Sequence, residues 1–228
     1  MKLVAVFAII CMFFITSCSD NSPCACPNDD LPNDTIKKDT FEIVKIGTQI
    51  WMSNNLEVTT FRNGDSIPQA KSEADWVYAK EYQKPVWCYY AFDENNGRKY
   101  GKLYNWYAVS DSRGLAPKGY HVASSIEWDS LAIFLGGWDK AGVKLKSTSG
   151  WNNNDISNNS SGFNGLPGGY CHQNGIFSGI GVIGYWWTST KAYSNTAYRR
   201  GLSSNNTDLN STYANNQDSY SVRCVKDY

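Results

Sequence analysis

Residues 184–190 read GYWWTST, and a tail of unusual composition follows this aromatic and β-branched block. From residue 193 to residue 221, 16 of 29 residues are Asn, Ser or Tyr. The block is typical of a β-strand. Rigid amphipathic rings together with short amides and hydroxyls are typical of binding surfaces, whereas active sites concentrate acids, bases and nucleophiles. The tail therefore predicts a ligand-binding surface.

Strand alternation divides the side chains of this region between two faces. In residues 197–202 (AYRRGL), a period of two places Tyr198 and Arg200 on one face and Arg199 on the other. The same alternation separates Trp186 from Trp187. Either both rings fill the core, or one of them faces solvent and forms a stacking platform for a sugar ring or a peptide.

The Asn-rich runs at residues 151–161 and 203–216 are expected to form adjacent loops. Together with the aromatic side chains they give the set of candidate ligand-binding residues, with solvated loops that bind nothing as the alternative. The candidates are Trp187, Tyr193, Tyr198, Arg200, Asn205, Asn206, Asp208, Tyr213, Asn215 and Asn216.

The remaining patterns predict an α+β fold built from many short elements. A hairpin is expected where residues 41–46 and 49–52 flank Gly47 and Thr48, and a capping box at residues 124–127 predicts a helix that ends at Gly136 and Gly137. In that helix Trp128, Leu131, Ile133, Phe134 and Leu135 form the expected buried set. Further predictions are a helix at residues 100–109 and strands at 87–92, 179–183, 185–189, 197–202 and 220–226.

The amino terminus predicts export and a lipid anchor. Residues 3–15 are an uninterrupted apolar run, the length of a signal-peptide core, and residues 15–18 (ITSC) resemble a bacterial lipobox with Cys18 as the acylated residue. An ordinary secretory peptide is the alternative. We expect a signal peptide at residues 1–17, a flexible tether at 18–39 and one domain at 40–228. The expected location is the outer membrane, facing the periplasm or the cell exterior.

Charge and cysteine content limit the partners and the cross-links. Without residues 1–17 the chain has 20 basic and 21 acidic residues and no basic cluster, so nucleic acid is not an expected partner. Three cysteines fall in the domain, which allows at most one disulfide there. Cys88 and Cys224 both lie in strand-like apolar runs, and they are the first choice for that pair.

No residue pattern indicates catalysis, a metal site or a cofactor. Cys171 and His172 are adjacent, but neighbours in a strand point to opposite faces, so a surface turn with an unpaired thiol is the better interpretation. His121 lies beside an apolar strand and is expected to be a core histidine. Residues 93–97 (DENNG) resemble the start of a calcium loop but lack its closing glutamate, which favours a polar turn.

Several stretches together resemble one protein family. They are residues 44–56 (VKIGTQIWMSNNL), 100–106 (YGKLYNW), 116–122 (APKGYHV), 161–169 (SGFNGLPGG), 184–190 (GYWWTST) and 221–225 (SVRCV). In combination they are similar to the Fibrobacter succinogenes major paralogous domain of surface lipoproteins. The resemblance implies a C-type-lectin-like fold of two helices on a small twisted antiparallel sheet with long loops. It also implies adhesion or ligand binding, and it brings no catalytic residue set.

The chain departs from that family at one informative place. Many members have Cys-Pro-x-Gly-Trp-His where residues 116–121 here read APKGYH, so one potential disulfide partner of Cys224 is missing. The sugar-binding tripeptides of calcium-dependent lectins are also missing from the chain. The formylglycine-generating enzymes share the lectin-like fold but use a close cysteine pair, which the domain lacks.

We therefore expect a lipid-anchored binding protein of the cell envelope, and not an enzyme, that recognises a glycan or protein ligand through its C-terminal Asn/Ser/Tyr-rich loops. The alternatives are a cell-envelope enzyme acting on glycans and a structural surface-coat lipoprotein. The tail also resembles the targets of diversity-generating retroelements, because randomised adenines in Asn codons yield Asn, Ser, Tyr and Asp.

Overall fold

The computed structural model describes residues 41–153 and 156–228. One compact unit extends from Thr40 to Tyr228. The predicted signal peptide, the Cys18 lipid site and the predicted tether lie outside the described residues. None of the helices in the described part is both long enough and apolar enough to span a bilayer.

The described residues form five α-helices and twelve β-strands. The helices are α1 (Glu73–Glu81), α2 (Glu94–Tyr100), α3 (Trp106–Val109), α4 (Ser125–Phe134) and α5 (Trp138–Leu145). The strands are β1 (Ile43–Ile46), β2 (Gln49–Met52), β3 (Trp87–Cys88), β4 (Leu103–Asn105), β5 (Tyr120–Val122), β6 (Gly168–Cys171), β7 (Phe177–Ile180), β8 (Ile183–Tyr193), β9 (Thr196–Ser203), β10 (Asn210–Asn215), β11 (Ser219–Val222) and β12 (Cys224–Lys226).

These strands form two sheets, and the α+β class is as predicted. The smaller sheet has the order β1-β2-β12-β5 and is antiparallel throughout. The larger sheet has the order β10-β9-β8-β6-β11-β4-β3, with β7 paired to β6. It is mixed, because β8 runs parallel to both β6 and β11. The last strands of the chain thus enter the middle of both sheets and hold them together.

Two local predictions are confirmed. The hairpin joins β1 to β2, with Ile43 opposite Met52 and Gly47 in the turn at a φ of 61°, a left-handed value that favours glycine. The capping box of α4 is complete: the Ser124 hydroxyl accepts from the Glu127 backbone N–H, and the Glu127 carboxylate accepts from the Ser124 N–H.

The expected buried set of α4 is only partly correct. Trp128, Leu131 and Leu135 are buried, whereas Ile133 is 71% exposed and Phe134 is 63% exposed. A residue advances 100° around a helix, so the face that carries Trp128 and Leu131 turns the two later side chains toward solvent. The apolar run is longer than the stripe that the core can cover.

Only the last part of the helix predicted at residues 100–109 is confirmed, as the short helix α3. Tyr100 ends α2, and Gly101 then adopts a φ of 80° that breaks the helix. The chain continues as β4, which pairs with β3 and β11, and Asn105 begins the short helix α3 by accepting from the Ala108 N–H. Pairing with two neighbouring strands has overridden a local 3–4 spacing of aromatic residues.

Other differences also follow from long-range pairing. The strand predicted at residues 87–92 ends at Cys88, and a single 3-10 turn follows at Tyr90–Phe92. Asp93 accepts from the Asn95 N–H and so caps α2, which gives residues 93–97 a structural role. Helices α1 and α5 and strand β10 were not predicted.

The core consists of three clusters rich in aromatic side chains. In the second cluster the rings of Trp51, Trp128 and Trp186 surround Phe163, with centroid separations from that ring of 5.4 to 5.8 Å. Such edge-to-face contacts add about 0.5–1.5 kcal/mol each beyond the burial of apolar area. This cluster joins the smaller sheet, the larger sheet and helix α4.

A buried guanidinium connects the two sheets. Arg223 lies between β11 and β12 and is fully buried. Its nitrogens donate to Asn55 Oδ1 at 2.9 Å and to the carbonyl oxygens of Met52 at 2.9 Å, Phe163 at 2.6 Å and Asn164 at 3.1 Å. Burial lowers the pKa of Arg223. Three backbone carbonyl oxygens and one side-chain amide oxygen surround this charge, and none of the four partners is a carboxylate. The guanidinium has five N–H donors in a planar arrangement, so it can donate to all four oxygens.

The predicted Cys88–Cys224 disulfide is wrong. Cys88, Cys171 and Cys224 are free thiols, and all three are buried. Cys88 packs with Cys171 in the third cluster, whereas Cys224 lies in the first cluster on β12. The sequence analysis placed Cys171 on a surface turn, and this is also wrong, because Cys171 is buried. Both strand-like runs were identified correctly, but they belong to different sheets, which a sequence pattern does not show.

His121 is not a core histidine but part of a half-buried ionic cluster. Its Nε2 lies 2.6 Å from Glu127 Oε1, and its Nδ1 lies 2.7 Å from Asp227 Oδ1. Burial alone would lower the pKa of His121, but the hydrogen bonds with Asp227 and Glu127 outweigh it and raise that pKa above 6.5. The cluster fastens the end of the chain to the first turn of α4.

This cluster predicts a pH dependence of stability. The pKa of His121 is raised in the folded protein. The stabilisation from this cluster is therefore fully present below the unfolded pKa of about 6.5, and it is lost as the pH rises through the folded pKa. The free energy of unfolding, measured by urea denaturation from pH 5 to pH 9, should therefore decrease over the upper part of this range. His121→Asn should remove the decrease. His172→Asn, a change at the only other histidine, should leave it in place.

Candidate functional site

The tail forms a three-stranded ribbon, β8-β9-β10, at one edge of the larger sheet. Residues 203–216 were predicted to be a loop, but β10 pairs with β9 over six positions, from Asn210 opposite Gly201 to Asn215 opposite Thr196. Asn and Ser are weak strand formers, and the ladder with β9 overrides that preference. The ribbon exposes two faces, and the predicted alternation of Tyr198 and Arg199 between them is confirmed.

Three of the predicted ligand residues meet on one face of the ribbon. Tyr198 and Tyr213 are directly opposite each other on β9 and β10, and the Tyr193 and Tyr213 rings contact edge to face at 5.3 Å. Tyr193 is 63% exposed, Tyr213 is 52% exposed and Tyr198 is half-buried. We call these three residues the tyrosine platform. They present rings and hydroxyl groups to solvent from a hydrogen-bonded strand pair.

Trp187 does not belong to this surface, which corrects the sequence prediction. Trp186 and Trp187 are both 0% exposed. Trp187 Nε1 donates to the Tyr104 carbonyl oxygen at 2.8 Å, and its ring packs against Tyr220 at 4.6 Å. Both faces of β8 are covered here, because the first core cluster lies on one side and the second on the other.

Arg200 is also unavailable to a ligand. It is 2% exposed, and its guanidinium donates to Asp129 Oδ1 at 2.9 Å and to the Ser125 carbonyl oxygen at 3.1 Å. Burial lowers the pKa of Arg200, and the contact with Asp129 opposes that effect. Its role is to fasten β9 to helix α4.

The turn between β9 and β10 carries Asn205, Asn206 and Asp208. It packs against helix α5 and against Lys146, the residue that follows this helix. Lys146, fully buried, donates to the carbonyl oxygens of Ser203 at 2.9 Å and Asn206 at 2.6 Å. Burial lowers the pKa of Lys146 to about 8. The Asn206 side chain accepts from the Asp208 N–H. Of these three residues, Asn205 is exposed, and Asn206 and Asp208 are half-buried.

The backbone of the same turn also rests directly on α5. A Cβ added at Gly142 would lie 2.4 Å from the Thr207 carbonyl oxygen, so only glycine allows this approach.

Asn215 and Asn216 lie at the opposite end of the ribbon. Asn215 is half-buried and accepts from the Gln217 N–H, whereas Asn216 is 5% exposed and is therefore not a surface residue. The eight residues of β9 separate the two ends by about 25 Å, at roughly 3.3 Å per residue. The predicted residues thus do not form one site, and the tyrosine platform is the part that the fold brings together.

The opposite face of the ribbon contains a group that the sequence prediction missed. Arg199 projects there and lies flat over the Tyr185 ring, with 3.5 Å between the guanidinium carbon and the ring centroid. The alternation of β9 placed Arg199 on this face, but nothing in the sequence shows that residues 170–172 and 218–220 approach it. That proximity comes from the pairing of β6, β8 and β11.

The structure shows no shared chemistry for Cys171 and His172. Cys171 is buried, while the half-buried His172 ring packs against Tyr170 at 4.6 Å. Within residues 41–153 and 156–228, no group of three or more His, Cys, Asp or Glu side chains is positioned to hold a metal ion.

Comparison with known proteins gives a family but no individual relative. No curated protein and no solved structure matches the chain. Residues 44–226 match the model of the Fibrobacter succinogenes major domain, a span that includes every strand from β2 to β12. Because this match covers well over half of the chain, the protein belongs to the Fibrobacter succinogenes major domain family.

Proposed function

We propose that this protein is a ligand-binding protein of the cell envelope and that the tyrosine platform binds a glycan. The observation that carries the proposal is the arrangement of Tyr193, Tyr198 and Tyr213 on one open face of the ribbon. Large aromatic side chains are usually buried, and an exposed group of them marks an interaction site more often than chance exposure does.

The chemistry of the platform suits a sugar. The faces of the phenol rings carry partial negative charge and attract the C–H groups of a pyranose, and the hydroxyl groups both donate and accept hydrogen bonds. Tyrosine has few rotatable bonds, so ordering it on binding costs little conformational entropy. Ser211 of β10 is exposed and, two residues before Tyr213, lies on the same face of the strand, where it adds a further polar group.

The cellular setting is part of the same proposal. The apolar run at residues 3–15 and the lipobox-like residues 15–18 support export and acylation at Cys18. The family resemblance supports a C-type-lectin-like arrangement, in which the terminal strands and loops carry the binding surface. On this proposal the domain is held at the outer membrane and binds without catalysis.

A glycan array with paired variants tests the proposal. Tyr193→Ser combined with Tyr213→Ser should weaken binding to the glycan that the array identifies by about tenfold, since two ring contacts contribute about 0.5–1.5 kcal/mol each. The matched control is Tyr78→Ser with Tyr82→Ser, an exposed tyrosine pair in α1 and at its C-cap, with ring centroids 4.6 Å apart. Equal loss in both double variants, or turnover of a glycan, would contradict the proposal.

A further inference from the structure

The face of the ribbon opposite the tyrosine platform carries a second cluster of aromatic and charged side chains. We call Tyr170, Tyr185, Arg199 and Asp218 the Arg199 cluster. The Tyr170 and Tyr185 rings are 5.4 Å apart, and Arg199 covers Tyr185. All four side chains are half-buried, so they line the surface and do not fill the core. They come from four different strands or turns and are assembled only by the fold.

Arg199 has donors without acceptors. Its Nε is buried and has no hydrogen-bond partner, and no described carboxylate lies within 4.0 Å of its nitrogens. A buried donor without a partner is unfavourable by about 1–3 kcal/mol, so native proteins rarely keep one without a use. The Nε of Arg200 is also buried without a partner, but the Arg200 guanidinium is held through Nη2 by Asp129 and the Ser125 carbonyl oxygen, whereas Arg199 has no described carboxylate partner. A ligand carboxylate would pair with the terminal guanidinium nitrogens of Arg199, which are not among its buried atoms and for which the described residues supply no carboxylate.

Asp218 gives the cluster an acceptor of opposite charge. Its Oδ1 accepts from the Gln173 N–H at 3.0 Å and its Oδ2 from the Tyr220 hydroxyl at 3.2 Å, which fixes the carboxylate in place. Burial raises the pKa of Asp218, while its hydrogen bonds and the charges of His172 and Arg199 oppose the rise. Each carboxylate oxygen can accept more than one hydrogen bond, so Asp218 can still accept from a ligand.

We propose that the Arg199 cluster binds an acidic sugar, with the carboxylate of a hexuronic acid residue on the Arg199 guanidinium. A planar carboxylate matches the edge of the guanidinium that Tyr185 leaves open, because Tyr185 covers only the face of the group. Sugar hydroxyl groups donate to Asp218, and the Tyr170 ring offers a stacking surface. The combination of a cationic donor, a fixed acceptor and rings fits a hydroxylated acid better than an anion without hydroxyl groups, which would have no donor to offset the repulsion from Asp218.

The site is independent of the tyrosine platform, since Tyr198 and Arg199 are consecutive residues on opposite faces of β9. This separation makes failure of one proposal distinguishable from failure of the other. Trigalacturonic acid is the probe, and the neutral galactotriose and the acidic peptide triglutamate are its comparisons. Binding to the purified protein is followed by NMR titration of the backbone amides.

We expect trigalacturonic acid to bind, and galactotriose and triglutamate to bind at least about tenfold more weakly. Arg199→Gln should raise the Kd for trigalacturonic acid at least about tenfold, and added NaCl should weaken binding to the unaltered protein. Tyr78→Ser, at an exposed ring on α1 outside the ribbon, should leave this Kd unchanged. Arg199→Lys keeps the charge but loses the planar guanidinium, so it should also raise this Kd. If the Gln variant does not fold, the Lys variant tests the role of Arg199.

Three results would overturn the inference. The first is no binding of trigalacturonic acid at millimolar concentration. The second is an unchanged Kd in a folded Arg199→Gln or Arg199→Lys variant. The third is equal or tighter binding of galactotriose or triglutamate, with amide shifts at the Arg199 cluster, which would assign the cluster to neutral sugars or to acidic peptides.

Discussion

Replacing Arg223 with Lys should lower the free energy of unfolding by about 3–5 kcal/mol, as is usual when a buried charge loses its partners. The guanidinium serves Asn55 Oδ1 and three backbone carbonyl oxygens in different directions. A lysine ammonium is a compact point charge and cannot reach all four oxygens, so buried carbonyl groups would lose their donors. The hydrogen bonds of Asn55 with Ser221 and Trp186 would remain, without the guanidinium that fixes Asn55 to the backbone around it.

Chemical denaturation of the variant and the unaltered protein measures this change. Arg98→Lys is the control, because Arg98 is an exposed residue of α2 and its replacement should change stability by less than about 0.5 kcal/mol. A loss below about 1 kcal/mol in Arg223→Lys would show that the buried guanidinium is not a main link between the two sheets.

Replacing Trp187 with Ala should have an effect of similar size and lower the free energy of unfolding by about 3–5 kcal/mol. The ring is fully buried, packs against Tyr220 and donates to the Tyr104 carbonyl oxygen. Truncation would leave a cavity in the first core cluster and remove the donor of a buried carbonyl group.

This second change separates a core residue from a binding residue. Tyr193→Ala, at the end of the same strand, removes an exposed ring and should change stability by less than about 0.5 kcal/mol. If Trp187→Ala left stability unchanged but abolished ligand binding, Trp187 would be a ligand residue after all, and the described packing of β8 would be wrong.

Local chemistry explains which parts of the fold the sequence could predict. The β1–β2 hairpin needs only a glycine with positive φ between two short alternating runs, and α4 needs only its capping box and a glycine pair. The opposite orientation of Tyr198 and Arg199 follows from strand period alone. Each of these features is decided within a dozen residues.

The wrong predictions share a different cause, which is pairing between distant segments. Trp187 is buried because core clusters cover both faces of β8, and alternation leaves an outward side only where one face is open. Strand β10 forms because β9 provides a partner for residues that are weak strand formers on their own. Cys88 and Cys224 do not pair for the same reason, since each run joined a different sheet.

The candidate site divides along the same line. Sequence composition pointed to the tail and to the three tyrosines that the fold brings together, because aromatic residues among Asn and Ser are visible in the sequence. It did not separate them from Trp187, Arg200 and Asn216, which are equally polar or aromatic but buried. It also missed the Arg199 cluster, whose members come from residues 170, 185, 199 and 218 and meet only in the folded sheet.

The proposal that the tyrosine platform is the ligand surface is tested most directly by mapping where a bound glycan contacts the protein. In an NMR titration with the glycan that the array identifies, the largest shifts should fall at Tyr193, Tyr198 and Tyr213 and at their strand neighbours in β9 and β10. The amides around Tyr78 and Tyr82 on α1 should not move, although those rings are equally exposed. Shifts confined to residues outside the ribbon, or cleavage of the glycan during the titration, would contradict the account.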